Sequence, residues 1–335
     1  MSPELTIGPL LGGGLVLGYR CPSRCRHCLY DAGPHRRDGS PANSAALDAI
    51  LDLLAERGPH ARYHIGGGEP FLDVDLLESA IDGMARRGLT LDYVETNAAW
   101  VKDGDHAAGV LVELRDLGLR CVLVSLSPFH AEFIPLERTL ALIEAAERSL
   151  PGGAFVWIPG LMDDVRAAPA GRSGRIDLEA LLAQRGQRYA RQLAARYSVV
   201  PAGRAGRYLH DHGQRVPWRE AAADARCTGR LQDTTHFHVD GQCRYVPGLC
   251  AGIVLPLAEV PGQIDLSRYP ALRALVVGGP LALVELGRAE QGFEPAETYS
   301  GACDLCTDVR RHLQAHDAAA FPELGPPGFY GNHGA

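Results

Sequence analysis

Between residues 15 and 200, short apolar runs alternate with longer amphipathic ones, and this rhythm limits the fold more than any other feature of the chain. Leu15 to Tyr19 reads as a strand. Ala45 to Arg57 has helical apolar spacing, with Asn43 or Ser44 as cap and Gly58 at its end. Tyr63–Ile65, Leu91–Glu95, Val122–Leu126, Ala154–Ile158 and Tyr197–Val200 read as five further strands. The helices between them are one capped by Asp73 and ending near Gly88, then His106–Leu117, Leu136–Leu150 and Asp177–Ala195. Strict β–α alternation calls for an α/β fold, a parallel sheet with helices outside. Functional loops then lie at the carboxyl ends of the strands. The residues with chemistry fall there: Cys21–Cys28 after the first strand, Gly66–Pro70 after the second, Thr96-Asn97 after the third and Ser125–His130 after the fourth.

The rhythm stops near Cys227. His236–Val239 and Arg244–Val246 flank Asp240-Gly241 in a predicted hairpin. Stretches 166–175 and 202–219 read as loops and a linker, and the Gly/Pro-rich residues 325–335 as a flexible tail or lid. A length of 335 residues suits one large domain and a smaller appendage. The net charge of −7 argues against a nucleic-acid partner, which needs a basic face. Lys102 is the one lysine, and Val101 precedes it, so no Gly-Lys phosphate loop exists. A pyridoxal Schiff base would have to use that same residue. No apolar run approaches the ~20 residues of a membrane span, and Leu10–Gly18 lacks the basic flank of a signal peptide, so a cytoplasmic protein without a membrane partner is expected.

Nine cysteines in such a chain read as metal ligands or free thiols rather than disulfides. Cys21, Cys25 and Cys28 are spaced Cys-x3-Cys-x2-Cys. Three thiolates on one loop hold three irons of a [4Fe–4S] cube and leave the fourth open, the mark of a working site. Structural zinc is the alternative, with His27 or His35 as fourth ligand.

Cys-x3-Cys-x2-Cys after a first strand and Gly66-Gly67-Gly68-Glu69-Pro70 after a second resemble the radical S-adenosylmethionine (SAM) superfamily over residues 13–210. The resemblance implies a partial (β/α)6 TIM-like barrel over 10–215. It also implies an enzyme in which SAM chelates the open iron and is cleaved to a 5′-deoxyadenosyl radical. It places Gly67, Gly68 and Glu69 at the methionine ammonium, Asn97 at a SAM contact, and Ser125 and Ser127, alternating on a strand, at the ribose. An external one-electron donor such as flavodoxin or ferredoxin goes with it. Arg204, in Pro201-Ala-Gly-Arg204-Ala, either meets a carboxylate of SAM or substrate or braces the loop. His130 either contacts substrate and relays a proton or bonds to backbone. Cys121 reads as core.

The later cysteines are Cys227, Cys243, Cys250, Cys303 and Cys306. They resemble the family's shortened auxiliary-cluster domain, the twitch form of SPASM, over 225–312. Cys227, Cys250, Cys303 and Cys306 are the favoured ligands of a second [4Fe–4S] cluster. Cys243 is either the true second ligand or a spare thiol that returns a hydrogen atom to a substrate radical. His236, His238 and Asp240 alternate onto one strand face, either as metal ligands or as a polar or substrate-facing surface. The expected reaction is radical modification of a small polar metabolite: a sugar, nucleoside or amino-acid derivative. A peptide- or protein-maturing radical enzyme is the alternative, and a zinc scaffold without redox chemistry is the alternative of another class.

Overall fold

The computed structural model describes residues 4–223 and 227–331. Five parallel strands follow in chain order: β1 (Gly12–Val16), β2 (Arg62–Gly66), β3 (Thr90–Thr96), β4 (Val122–Val124) and β5 (Ala154–Val156). Helices α1 (Ser44–Arg57), α2 (Val74–Arg86), α3 (Gly104–Leu117) and α4 (Leu136–Ser149) make the crossovers. The caps sit where local chemistry puts them. Asn43 Oδ1 accepts from the Ala46 N–H at 2.9 Å, Asp73 from Leu76 at 3.1 Å, and Asp103 from His106 at 2.8 Å. Helix α1 buries Leu47, Ile50, Leu51 and Leu54, one stripe at helical spacing against the sheet.

Two strand assignments change. The first strand covers Gly12–Val16 rather than Leu15–Tyr19. A Cβ on Gly13 would lie 2.6 Å from the Phe237 ring, and one on Gly14 2.4 Å from His64 Nε2, so bare backbone is what lets neighbouring side chains cross this strand. The expected strand at Tyr197–Val200 does not form. Helix α5 (Leu178–Tyr197) takes up Tyr197 and ends on Ser198 in the left-handed conformation, at φ 57°. Pro201, which has no N–H, follows three residues later.

The sixth parallel strand comes from the C-terminal region. β6 (Phe237–Asp240) pairs with the free side of β1, Gly13 opposite Phe237 and Val16 opposite Asp240. The antiparallel strands β7 (Arg244–Val246) and β8 (Leu255–Pro256) complete the hairpin side. The result is an open, mixed eight-stranded sheet with edges β8 and β5. The sheet takes strands from both sides of the boundary expected between 215 and 225, and residues 224–226 lie outside the described ones.

Helices α6 (Pro270–Gln291) and α7 (Ala302–Asp317) pack together beyond the hairpin. Contrary to expectation, α6 is long and apolar enough, by length and composition, to cross a membrane. Its helical path breaks at Gly278 and Gly279, just before Pro280, and it buries Leu272, Leu275, Leu283 and Val284. The expected flexible tail is anchored as far as it is described: Phe329 and Tyr330 are buried, and the Tyr330 hydroxyl donates to the Gly252 carbonyl. Residues 332–335 lie outside the described residues.

Candidate active site

The loop after β1 is tied down at both ends. Cys21 N–H donates to Gly33 O at 3.1 Å, and Gly33 N–H to Tyr19 O at 3.1 Å. Arg204 holds it from outside the sheet: Nε donates to Cys25 O at 3.0 Å, Nη2 to Ala32 O, and Nη1 pairs with Asp31. Its role in the structure is therefore that of a loop brace. Gly203 beside it has φ 57°, and a Cβ there would lie 2.4 Å from Leu29 O, so only glycine lets the two backbones meet.

The glycine turn is bound to the same loop. Gly68 N–H donates to Gly18 O at 2.8 Å and Glu69 N–H to Arg20 O at 2.9 Å. A Cβ on Gly68 would fall 2.0 Å from Arg20 O. Glu69 is buried. Its carboxylate accepts from Thr96 Oγ1 at 2.9 Å, Asn97 N–H at 2.7 Å and Phe71 N–H at 3.2 Å. Burial pushes it up to about 7 against those bonds. These three bonds clamp the glycine turn to the end of β3, and Glu69 is not among the lining residues of the cavity described next.

One cavity of about 460 Å³ brings the sites together. It is lined by Cys21, Cys25, Cys28, Gly67, Gly68, Asn97, Ser125, His130 and Arg204. Asn97 Nδ2 donates to Cys21 Sγ at 3.3 Å and Ala32 N–H to Cys28 Sγ at 3.3 Å. Burial pushes the Cys21 thiol up to about 12 and Cys25 well above the usual thiol range, so ionising them requires a positive charge such as a metal centre. Ser127 is not on this wall. β4 ends at Val124, so strand alternation no longer applies. Ser127 is fully buried, precedes the turn Pro128–Ala131 and bonds His130 Nδ1 at 2.9 Å. Burial pulls His130 down to about 4, so it is a neutral imidazole at physiological pH. His35 is exposed and lies off the cavity. Ligand atoms of Cys25, His27 and His130 lie within 4.8 Å of one another, and His27 Nδ1 is buried without a hydrogen-bond partner.

A second cavity of about 350 Å³ is lined by Cys227, Cys250, Cys303 and Cys306, and shares the wall Val199, Val200 and Leu249 with the first. Cys243 is not among its lining residues. It occupies the turn between β6 and β7 at φ 60°, its N–H donating to Asp240 O at 2.9 Å. Cys121 lines neither cavity and is half-buried against Val122. Asp240 is engaged by Arg244 at 2.6 Å and by Tyr19, and His238 Nδ1 by Tyr30 at 2.7 Å, so the polar face of β6 is internally paired.

Four lining groups escaped the sequence reading. Tyr93 and Glu95 alternate with Leu91 along β3, a period-of-two signal that was readable. Arg230 Nη1 donates to Cys303 Sγ at 3.1 Å. Arg310 lies one helical turn after Cys306, and its guanidinium is buried. It donates to Ala251 O, Cys306 O, Thr307 Oγ1 and Tyr330 Oη, and no carboxylate pairs with it among the described residues. A buried cation without a counter-charge costs several kcal/mol, so an anionic centre on the four neighbouring sulfurs fits its position.

No family model and no curated protein matches the chain. Among solved structures, BtrN in complex with AdoMet and 2-DOIA aligns with a TM-score of 0.40 at 12% identity, over 90% of this chain and 93% of that one. Native anSMEcpe with bound AdoMet aligns at 0.41 and 12% identity, over 71% and 74%. Streptococcus suis SuiB bound to S-adenosylmethionine aligns at 0.39 and 12% identity, over 72% and 59%. These likenesses are distant, and the chemistry of the two cavities has to be judged from their own residues.

Proposed function

We propose that the chain is a radical SAM enzyme whose Cys21, Cys25 and Cys28 hold a [4Fe–4S] cluster with one open iron. The observation that carries this reading is a single cavity lined by these thiols together with Gly67, Gly68, Asn97 and Ser125, contributed by the ends of four different strands. Bound there, the cluster would supply the one-electron chemistry that cleaves SAM at its S–C5′ bond and starts hydrogen-atom abstraction from substrate. The protein's part is positioning. Asn97 and the Ala32 N–H stabilise sulfur charge, Arg204 keeps the loop closed, and Glu69 keeps Asn97 in place. Gly67 and Gly68 line the cavity and, lacking side chains, let the cysteine loop's backbone pack against them, and Ser125 offers a hydroxyl. Neutral His130, held by Ser127 at Nδ1, lines the cavity as an uncharged hydrogen-bonding group.

Cys227, Cys250, Cys303 and Cys306 would hold a second [4Fe–4S] cluster, with Arg310 and Arg230 supplying counter-charge, in a twitch-like extension of a partial (β/α) barrel. The proposed substrate is a small polar metabolite, with a peptide as the alternative. A flavodoxin or ferredoxin in the cytoplasm would serve as electron donor. A second reading has one observation in its favour: the proximity of Cys25, His27 and His130 also suits zinc. Anaerobic reconstitution separates the two. The radical enzyme is brown and, with a strong reductant, converts SAM to 5′-deoxyadenosine and methionine. A colourless zinc protein that leaves SAM intact would rule the proposal out.

A further inference from the structure

The thiol-lined cavity also has an acidic wall. Tyr93 and Glu95, two residues apart on β3, share it with Trp157 and His236. The Glu95 side chain is 38% exposed, on this concave surface. No hydrogen bond reaches its carboxylate from the described residues, and its nearest basic neighbour is His64 Nε2 at 3.8 Å. His64 brings no charge, since burial, aided by His236, pulls it down to about 3. Arg204 is the one arginine or lysine among the described lining residues, and it is committed to Asp31 and to the Cys25 and Ala32 carbonyls. Glu95 therefore faces the cavity without a protein counter-ion, and burial pushes it up to about 7. A carboxylate on a concave wall with no counter-charge is stabilised by a ligand that supplies the missing cation. The flanking rings agree. Tyr93 and Trp157 line the same space, and aromatic faces attract ammonium groups.

We infer that Glu95 anchors a ligand ammonium group in the cavity between Tyr93, Trp157 and His236, so the substrate is a small amine rather than a neutral sugar or a carboxylate. The assignment rests on the proposal that this cavity is the substrate site. SAM also carries an ammonium, so the test must separate the two ligands. Reconstituted holoprotein saturated with SAM is titrated above neutral pH with cyclohexylamine and with its neutral counterpart of similar shape, cyclohexanol. The amine binds at least about tenfold more tightly, the preference expected of one charge-assisted hydrogen bond. Glu95→Gln, similar in shape and uncharged, erases that preference and keeps wild-type SAM affinity and iron content. The inference is overturned by equal or absent binding of the amine, by a preference that survives in E95Q, or by a loss of SAM affinity in E95Q, which would give the carboxylate to SAM. Failure of the radical SAM reading shows separately, as wild-type protein that binds neither iron nor SAM.

Discussion

Glu69, in the glycine turn, is a buried side chain that ties this turn to the neighbouring strand end. Its carboxylate gathers three donors at the end of β3 and holds Asn97 against Cys21. Arg310 does related work at the second cavity, as a buried cation whose neighbours are sulfurs, carbonyls and hydroxyls. A cluster gains negative charge on reduction, so a nearby guanidinium favours the reduced form. Arg310→Met is expected to lower the reduction potential of the second centre by on the order of 100 mV, about 2.3 kcal/mol of lost attraction. An EPR-monitored redox titration reads this shift, and Arg310→Lys should recover most of it. An unchanged potential in the iron-loaded Met variant would sink the counter-charge role.

At the scale of elements, the helices were legible because their signals are local. Asn43, one of two expected caps, and Asp73 cap their helices, and Asp177, expected as the first residue of its helix, caps it. The strands were legible mainly as a rhythm. Where side chains were missing, as at Gly12–Gly14, or where a helix end competed, as at Tyr197–Ser198, apolar runs misplaced the boundary. The segment Ala202–Arg204 shows the other side of that competition. It forms no strand, yet it presses against the cysteine loop at a distance only glycine permits. Gly203→Ala forces a positive φ on a residue with a Cβ and drives that Cβ into Leu29 O, costing roughly 1–3 kcal/mol locally. The expected outcome is iron lost from the first centre before the fold melts, measured as iron per chain against the circular-dichroism melting curve. Wild-type iron retention in G203A would show that the contact does not hold the loop.

For the whole molecule, the telling feature is that β6 returns from the C-terminal region to pair with β1. The region bearing the later cysteines is thereby fastened to the strand that carries the earlier ones. The two cavities share Val199, Val200 and Leu249 as a result. If each cavity holds its proposed cluster, the two should load separately. Cys303→Ser combined with Cys306→Ser is expected to reduce reconstituted iron from about eight to about four atoms per chain, with the SAM-sensitive EPR signal of the first centre kept. If iron falls to zero, or stays at about four in both proteins, the two-centre arrangement fails.

Three thiols on one loop, a glycine turn on the next and the β–α rhythm that aligns them could be read from the sequence, because each depends on spacing along a few residues. Spacing along the chain cannot say which distant groups share a wall, so tertiary structure alone decided the rest. It turned Glu69 inward, sent Ser127 to His130 rather than to the cavity, left Cys243 in a hairpin turn and set Glu95 without a counter-ion. The physical reason is that burial and charge compensation are properties of surroundings, and those surroundings are assembled from strands far apart in sequence.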